Sequence, residues 1–115
     1  MEKLQDFMLL FRFQPDFSYR PTDAELAAQK QQWGSWISGI AVQAKLVSTS
    51  QLGFDGRQLR ADMSVEEGIH ITGNQTLGGN MIVKAESLDD ALTMAKGCPI
   101  LKMGGTVEVR NILPM

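Results

Sequence analysis

His70 is the single histidine among the 115 residues and the first candidate for proton transfer. Histidine is the side chain whose ordinary pKa lets it gain and lose a proton near neutral pH. His70 would therefore be the acid or base of an active site. The simpler interpretation is a half-exposed residue on the solvated face of a strand. One histidine cannot build a metal centre alone, so the sequence predicts no metal site.

Arg12 is the one charge that ends an otherwise apolar strand. Arginine is rarely buried without a partner. If the first strand lies antiparallel beside the last, its end meets the beginning of that last strand, near Thr106 and Glu108. We therefore predict an Arg12–Glu108 ion pair, with Arg110 on the same face as Glu108. This pair either fixes the strand register, or Arg12 holds a substrate carboxylate.

Trp33 and Trp36 flank Gly34 and could line a cleft between a helix and the sheet. Tyr19 could close that cleft from the preceding loop. Tryptophans at helical spacing more commonly serve a core or an interface. Cys98 follows a helix, whose C-terminal end raises a thiol's pKa, so we do not expect it to act as a nucleophile. The predicted substrate-binding residues are Arg12, Tyr19, Trp33, Trp36, Glu108 and Arg110.

The elements that must position these residues begin with a strand over residues 6–13. Its two faces are both apolar except for Arg12, which is typical of a central strand covered on both sides. Thr22 and Glu25 form a capping-box pattern that starts a long helix. The helix is expected to end near Ser38-Gly39, where the glycine can close it.

Residues 46–52 predict a second strand, and Asp55-Gly56 predicts the turn of a hairpin that returns over residues 57–63. Another strand is expected over residues 69–72. In the last third, Ser87 caps a second helix that Gly97 closes in the left-handed conformation. The flanking strands contain residues 81–83 and 106–110.

This order of elements predicts an α+β fold, ferredoxin-like βαββαβ with an extra hairpin, as one domain over residues 1–115. Its helices would lie on one face of the sheet. Because the first strand is apolar on both faces, the other face needs a partner subunit.

The strings SLDDAL (87–92), CP (98–99) and GGTVEVR (104–110) resemble the C-terminal half of the YCII-related family, also called the DGPF-domain family. The resemblance implies a dimeric α+β barrel, a homodimer paired through its sheets with clefts between sheet, helix and partner. The family's Asp-Gly-Pro-Phe motif follows a strand that ends in Thr. Here Thr72 is followed by GNQTL (73–77), so no catalytic residue carries over through that motif.

Net charge, cysteine count and the length of apolar runs exclude several classes of protein. A net charge of -2 gives no basic face for nucleic acid. The single cysteine gives no disulfide, and no run approaches the roughly 20 apolar residues that span a bilayer. We therefore expect a cytoplasmic protein without nucleic-acid or membrane partners. The sequence contains no phosphate-binding or cofactor motif, so no cofactor is predicted.

Three functions remain open. The first is a dimer that binds a small organic molecule in a cleft between sheet and helix. The second is a cofactor-free lyase, isomerase or monooxygenase-type enzyme on a small carboxylate or aromatic substrate, with His70 as acid or base and Arg12 as anchor. The third is a structural or regulatory interaction module. A deep apolar pocket on which Arg12 and His70 converge would favour the enzyme, and an exposed charged pair would favour the module.

Overall fold

The fold is an antiparallel sheet with two helices packed on one face. A computed structural model describes residues 3–16 and 21–114. In chain order the elements are β1 (Gln5–Phe13), α1 (Asp23–Ala41), β2 (Leu46–Gln51), β3 (Arg57–Leu59), β4 (Val65–Glu67), β5 (Thr76–Ala85), α2 (Leu88–Ala95), a 3-10 helix (Pro99–Met103) and β6 (Thr106–Asn111).

The main sheet has the strand order β2-β5-β1-β6, and all of its pairings are antiparallel. Without the β3–β4 hairpin, this is the order of a ferredoxin-like βαββαβ sheet. The α+β prediction is confirmed. β1 occupies a central position between β5 and β6, as its two apolar faces indicated.

Local sequence signals set both helix starts. The Thr22 side chain accepts a hydrogen bond from the Glu25 backbone N–H at 3.1 Å, and the Glu25 carboxylate accepts one from the Thr22 N–H, which completes the predicted capping box. At α2 the Ser87 side chain accepts a hydrogen bond from the Asp90 backbone N–H at 3.1 Å. α1 continues past the predicted Ser38-Gly39 to Ala41. α2 ends at Ala95, before Gly97 as predicted, but Gly97 does not take the predicted left-handed conformation. Gly104 closes the 3-10 helix in the left-handed conformation, with φ 81°.

The core lies between the sheet and the helices. Alternate residues of β1 and β5 point into it, because successive strand side chains face opposite sides. Full burial of each large apolar side chain stabilises the fold by about 1.5–3 kcal/mol. The buried apolar residues are Phe7, Leu9, Phe11, Ile40, Met81, Val83, Ala85, Ala91, Ala95, Cys98 and Ile100.

Among the described residues, no helix covers the opposite side of the sheet, which we call the open face. Its centre consists of Met8, Leu10 and Ile82, all half-buried. The molecule is accordingly flat, with extents of 49 × 43 × 20 Å. Its radius of gyration is 15.9 Å, whereas a compact domain of this length has about 13 Å.

The turn of the hairpin was predicted at the wrong residues. β3 pairs with β4, so the chain reverses after Arg60 and not at Asp55-Gly56. Met63 takes a positive φ of 73° in this turn, and the Asp62 carboxylate accepts a hydrogen bond from the Ser64 N–H at 2.9 Å. Hydrogen bonds from the side chain and backbone of Ser64 lower the pKa of Asp62.

The strand predicted over residues 69–72 does not form. Thr72 makes only an isolated bridge with Gln75, around the left-handed Gly73 and Asn74. Because this bridge is a single pair, residues 69–71 have no neighbouring strand of the described chain to pair with. In the described part of the chain, no helix is long and apolar enough to cross a membrane. The cytoplasmic location stays a prediction.

Candidate functional site

A cleft of about 710 Å³ lies between α1 and the inner face of the sheet. Aromatic rings form its walls, two glycines form part of its floor, and the C-terminal end of β2 forms one rim. Ile100 and Met103 of the 3-10 helix close one side. The aromatic residues that line it are Phe11, Phe13 and Trp33.

α1 contributes a stripe of residues at helical spacing. Leu26, Lys30, Trp33, Gly34 and Ile37 recur at intervals of three, four or seven, so they share one face of the helix. The Trp33 ring meets the ring of Phe11 edge-on, with centroids 5.3 Å apart and an angle of 74°. This contact fixes the tryptophan against the sheet and leaves room beside it. A β-carbon added to Gly34 would meet nothing within 4 Å.

The floor depends on Gly78 and Gly79 in β5. The register of β1 shifts here, since Phe11 lies opposite Gly79 and Arg12 opposite Leu77, which leaves Gly78 as a bulge residue. A β-carbon on Gly78 would lie 2.6 Å from the Phe13 ring, and one on Gly79 would lie 2.6 Å from the Ser50 carbonyl oxygen. The two glycines therefore let an aromatic ring and a neighbouring strand approach the backbone closely.

Lys30 is the sole charged side chain among the described residues that line the cleft. No carboxylate of the described chain lies within 4.0 Å of its ammonium group. The remaining polar lining groups are uncharged, and they belong to Gln29, Thr49, Ser50 and Gln51. Within the described ranges, no three His, Cys, Asp or Glu side chains cluster closely enough to hold a metal ion.

Trp36 is directed elsewhere. Its indole N–H donates a hydrogen bond to the Met94 carbonyl at 3.0 Å, which ties α1 to α2. Its ring packs against Phe11 at 5.9 Å and lines a separate hollow with Gly97 and Pro99. Of the two tryptophans predicted to line a cleft against the sheet, only Trp33 lines the larger one.

Arg12 and Glu108 form the predicted ion pair. Arg12 lies opposite Thr106 in the β1–β6 register, and its guanidinium donates to the Glu108 carboxylate at 2.7 Å. Arg110 lies 4.0 Å from the same carboxylate. The Arg12 and Glu108 side chains are 38% and 45% exposed, so this is a half-exposed pair. All three residues lie on the open face, separated from the cleft by the sheet.

His70 lies in the segment between β4 and β5. Its ring nitrogens contact the Gln58 side-chain oxygen at 3.3 Å and the Thr72 hydroxyl. The side chain is exposed, and neither His70 nor Arg12 lines the cleft. The catalytic role of His70 stays a prediction. Tyr19, the predicted lid, lies outside the described residues.

Cys98 lies in the core and is 2% exposed. Burial raises the pKa of its thiol to about 11, although a backbone hydrogen bond from Ile100 acts in the opposite direction. The thiolate is the nucleophilic form of cysteine. The raised pKa therefore agrees with the expectation that Cys98 is not a nucleophile, but burial is its main cause.

Lys30 was missed as a site residue from the sequence. It follows Leu26 by four residues and precedes Trp33 by three, and this spacing placed it on the sheet-facing stripe. Its charge and its position within the polar run 29–32 favoured a solvated face instead. The signal that could have identified Lys30 was its charge at a position of the helix where the periodicity predicts an apolar residue.

Comparison with protein-family models places the chain in a known family. The sequence model described as YCII-related domain matches residues 7–115. This range includes the cleft, the open face and the hairpin. A search of curated proteins found no match.

Proposed function

The chain belongs to the YCII-related domain family, and we propose that it binds a small organic molecule in the cleft between α1 and the sheet. The observation that carries this proposal is the cleft itself. Its volume of about 710 Å³ falls within the roughly 300–1,000 Å³ typical of small-molecule sites. Its lining is mainly apolar and aromatic with a few polar groups, which is also typical of such sites.

Gly34 and Gly39 offer a matched test of the cleft. Both glycines lie in α1, and a β-carbon at either position meets nothing within 4 Å, but only Gly34 lines the cleft. Gly34→Leu would place a side chain in the cleft from a position where the β-carbon itself meets no atom, whereas Gly39→Leu would leave the cleft open. The probe is N-phenyl-1-naphthylamine, a neutral aromatic dye whose fluorescence rises in apolar sites.

We expect the wild type and Gly39→Leu to bind about one dye per chain and Gly34→Leu to lose that binding. Circular dichroism and thermal unfolding check that both variants fold. Equal dye binding by Gly34→Leu and the wild type would contradict binding in this cleft.

We further propose that the protein is a homodimer whose contact is the open face. The apolar residues Met8, Leu10 and Ile82 lie at the centre of that face. Ion pairs flank them, with Asp6–Lys84 at 3.1 Å on one side and Arg12–Glu108 on the other. An apolar centre within a polar rim is the usual anatomy of a protein interface. The flat shape supports the same proposal, because a second sheet would cover the uncovered layer.

Leu10→Lys tests the homodimer. Leu10 lies opposite Glu108 in β6, so a lysine there gains an opposite charge in the monomer but brings a charge into the contact. Val42, which is 83% exposed at the end of α1, provides the control Val42→Lys. Light scattering coupled to size exclusion should give a dimer mass for the wild type and the control and a monomer mass for Leu10→Lys. A monomeric wild type at 100 µM would rule the dimer out.

A further inference from the structure

We infer that the ligand of the cleft is an aromatic anion whose negative group meets Lys30 and whose ring lies beside Trp33 and Phe13. This inference rests on the proposed function and adds the ligand class to it. The described lining contains one positive charge and no negative charge. The sign of the charge that the cleft favours is therefore set by Lys30.

The position of Lys30 supports this assignment. It occupies the sheet-facing stripe of α1, four residues after Leu26 and three before Trp33. Ile37 of the same stripe is apolar and half-buried against the core, whereas Lys30 is charged and exposed. The lysine stem can lie along the apolar wall while its ammonium group stays at the rim. A carboxylate at that rim would accept a charge-assisted hydrogen bond.

The aromatic part of the ligand follows from the walls. The Phe11 ring holds Trp33 edge-on at 5.3 Å, and the Phe13 ring is tilted against Phe54 with centroids 6.1 Å apart. Aromatic rings prefer offset or edge-on contact with other rings. Gly34, with no side chain, leaves open space next to Trp33. Uncharged amide and hydroxyl groups on the β2 rim can hydrogen-bond a polar substituent without opposing the negative charge.

The test compares two probes of nearly equal shape, 1-naphthoate and its neutral amide, 1-naphthamide. Calorimetry gives the Kd of each. The two indole N–H signals in a ¹H–¹⁵N spectrum report the place of binding. The Trp33 signal should shift, and the Trp36 signal, which is engaged by the Met94 carbonyl, should change little.

We expect the wild type to bind naphthoate about tenfold more tightly than naphthamide, as one charge-assisted hydrogen bond allows. Lys30→Gln should remove that preference, and Lys30→Arg should keep it. Lys102→Gln is the matched control, since it changes the net charge equally but lies in the hollow beside Trp36. It should leave both affinities within about twofold, because a charge outside the site acts only through screened solvent.

The outcomes separate this inference from the proposed function. Equal affinity for the two probes, both abolished by Gly34→Leu, would overturn the anion assignment and leave the cleft as a binding site. A preference for naphthoate that persists in Lys30→Gln would also overturn it. No binding of naphthoate at 10 mM, with the neutral dye still bound, would overturn the anion assignment alone. Loss of both the dye and the naphthyl probes in the wild type would overturn the two proposals together.

Discussion

Gly79→Ala should destabilise the protein, because β2 passes too close to this position for any side chain. The new β-carbon would lie 2.6 Å from the Ser50 carbonyl oxygen and 3.5 Å from the Gln51 α-carbon. Ordinary contact begins at 3.4 Å, so the backbone of β2 must move by about 0.8 Å. Overpacking of this kind costs about 1–3 kcal/mol. Alanine also lowers the conformational entropy of the unfolded chain, which offsets about 0.4–1 kcal/mol of this destabilisation.

We therefore expect the free energy of unfolding of Gly79→Ala to fall by about 1–2 kcal/mol, measured by urea unfolding at a fixed protein concentration. Gly78→Ala is the control, because its β-carbon is too close only to the Phe13 ring, a side chain that can rotate, while the Phe11 carbonyl oxygen lies at an ordinary contact distance of 3.8 Å. We expect it to change the free energy by less than about 1 kcal/mol. In Gly79→Ala, amide exchange should also quicken at Leu52, whose N–H donates to the Gly78 carbonyl at 3.0 Å. If Gly79→Ala were as stable as the wild type, or Gly78→Ala the less stable of the two, the close approach of β2 would be refuted.

Three further predictions concern the ion pair, the buried thiol and the helix cap. A double-mutant cycle of Arg12→Met and Glu108→Gln, followed by urea unfolding, should give a coupling of about 0.2–1 kcal/mol that falls in 1 M salt, since the pair is half-exposed. The folded-state pKa of Cys98, about 11, lies above its ordinary value of 9.0, so the stability it contributes is complete below pH 9 and is lost as pH rises towards 11. The stability advantage of the wild type over Cys98→Ala should shrink by roughly 2–3 kcal/mol across that interval, and a constant difference would contradict burial of the thiol. Thr22→Ala should lower the free energy of unfolding by about 1 kcal/mol, and Thr22→Ser should not. Only alanine removes the side-chain oxygen that accepts a hydrogen bond from the Glu25 N–H.

Features encoded within a few neighbouring residues were predicted well. Thr22 and Ser87 cap helices, because a cap needs only a side-chain oxygen and an amide three residues on. The two apolar faces of β1 predicted its central position. The Arg12–Glu108 pair followed once β1 and β6 were taken as antiparallel neighbours, because that pairing fixes which ends meet.

Predictions that relied on a single glycine failed more often. Asp55-Gly56 is a strong local turn signal, but Gly56 is closely packed, since a β-carbon there would lie 2.9 Å from the Ile69 side chain. The chain reverses instead around Met63. Gly97 packs against Trp36, with the indole 3.0 Å from its β-carbon position. In both cases the glycine serves a close tertiary contact, which is not encoded by its neighbours in sequence.

The sequence by itself determined the order of the helices and main-sheet strands, the capped helix starts, the central strand and the family to which the chain belongs. These depend on local hydrogen bonds and on the alternation of apolar residues, which any stretch of chain carries within itself. Only the tertiary structure decided which face of the sheet carries the cleft and which side chains line it. It placed Arg12, Glu108 and Arg110 on the open face and brought Lys30, Trp33 and Phe13 together on the other side of the sheet. The physical reason is that a sheet separates its two faces completely, so one position along a strand or helix decides which site a residue joins.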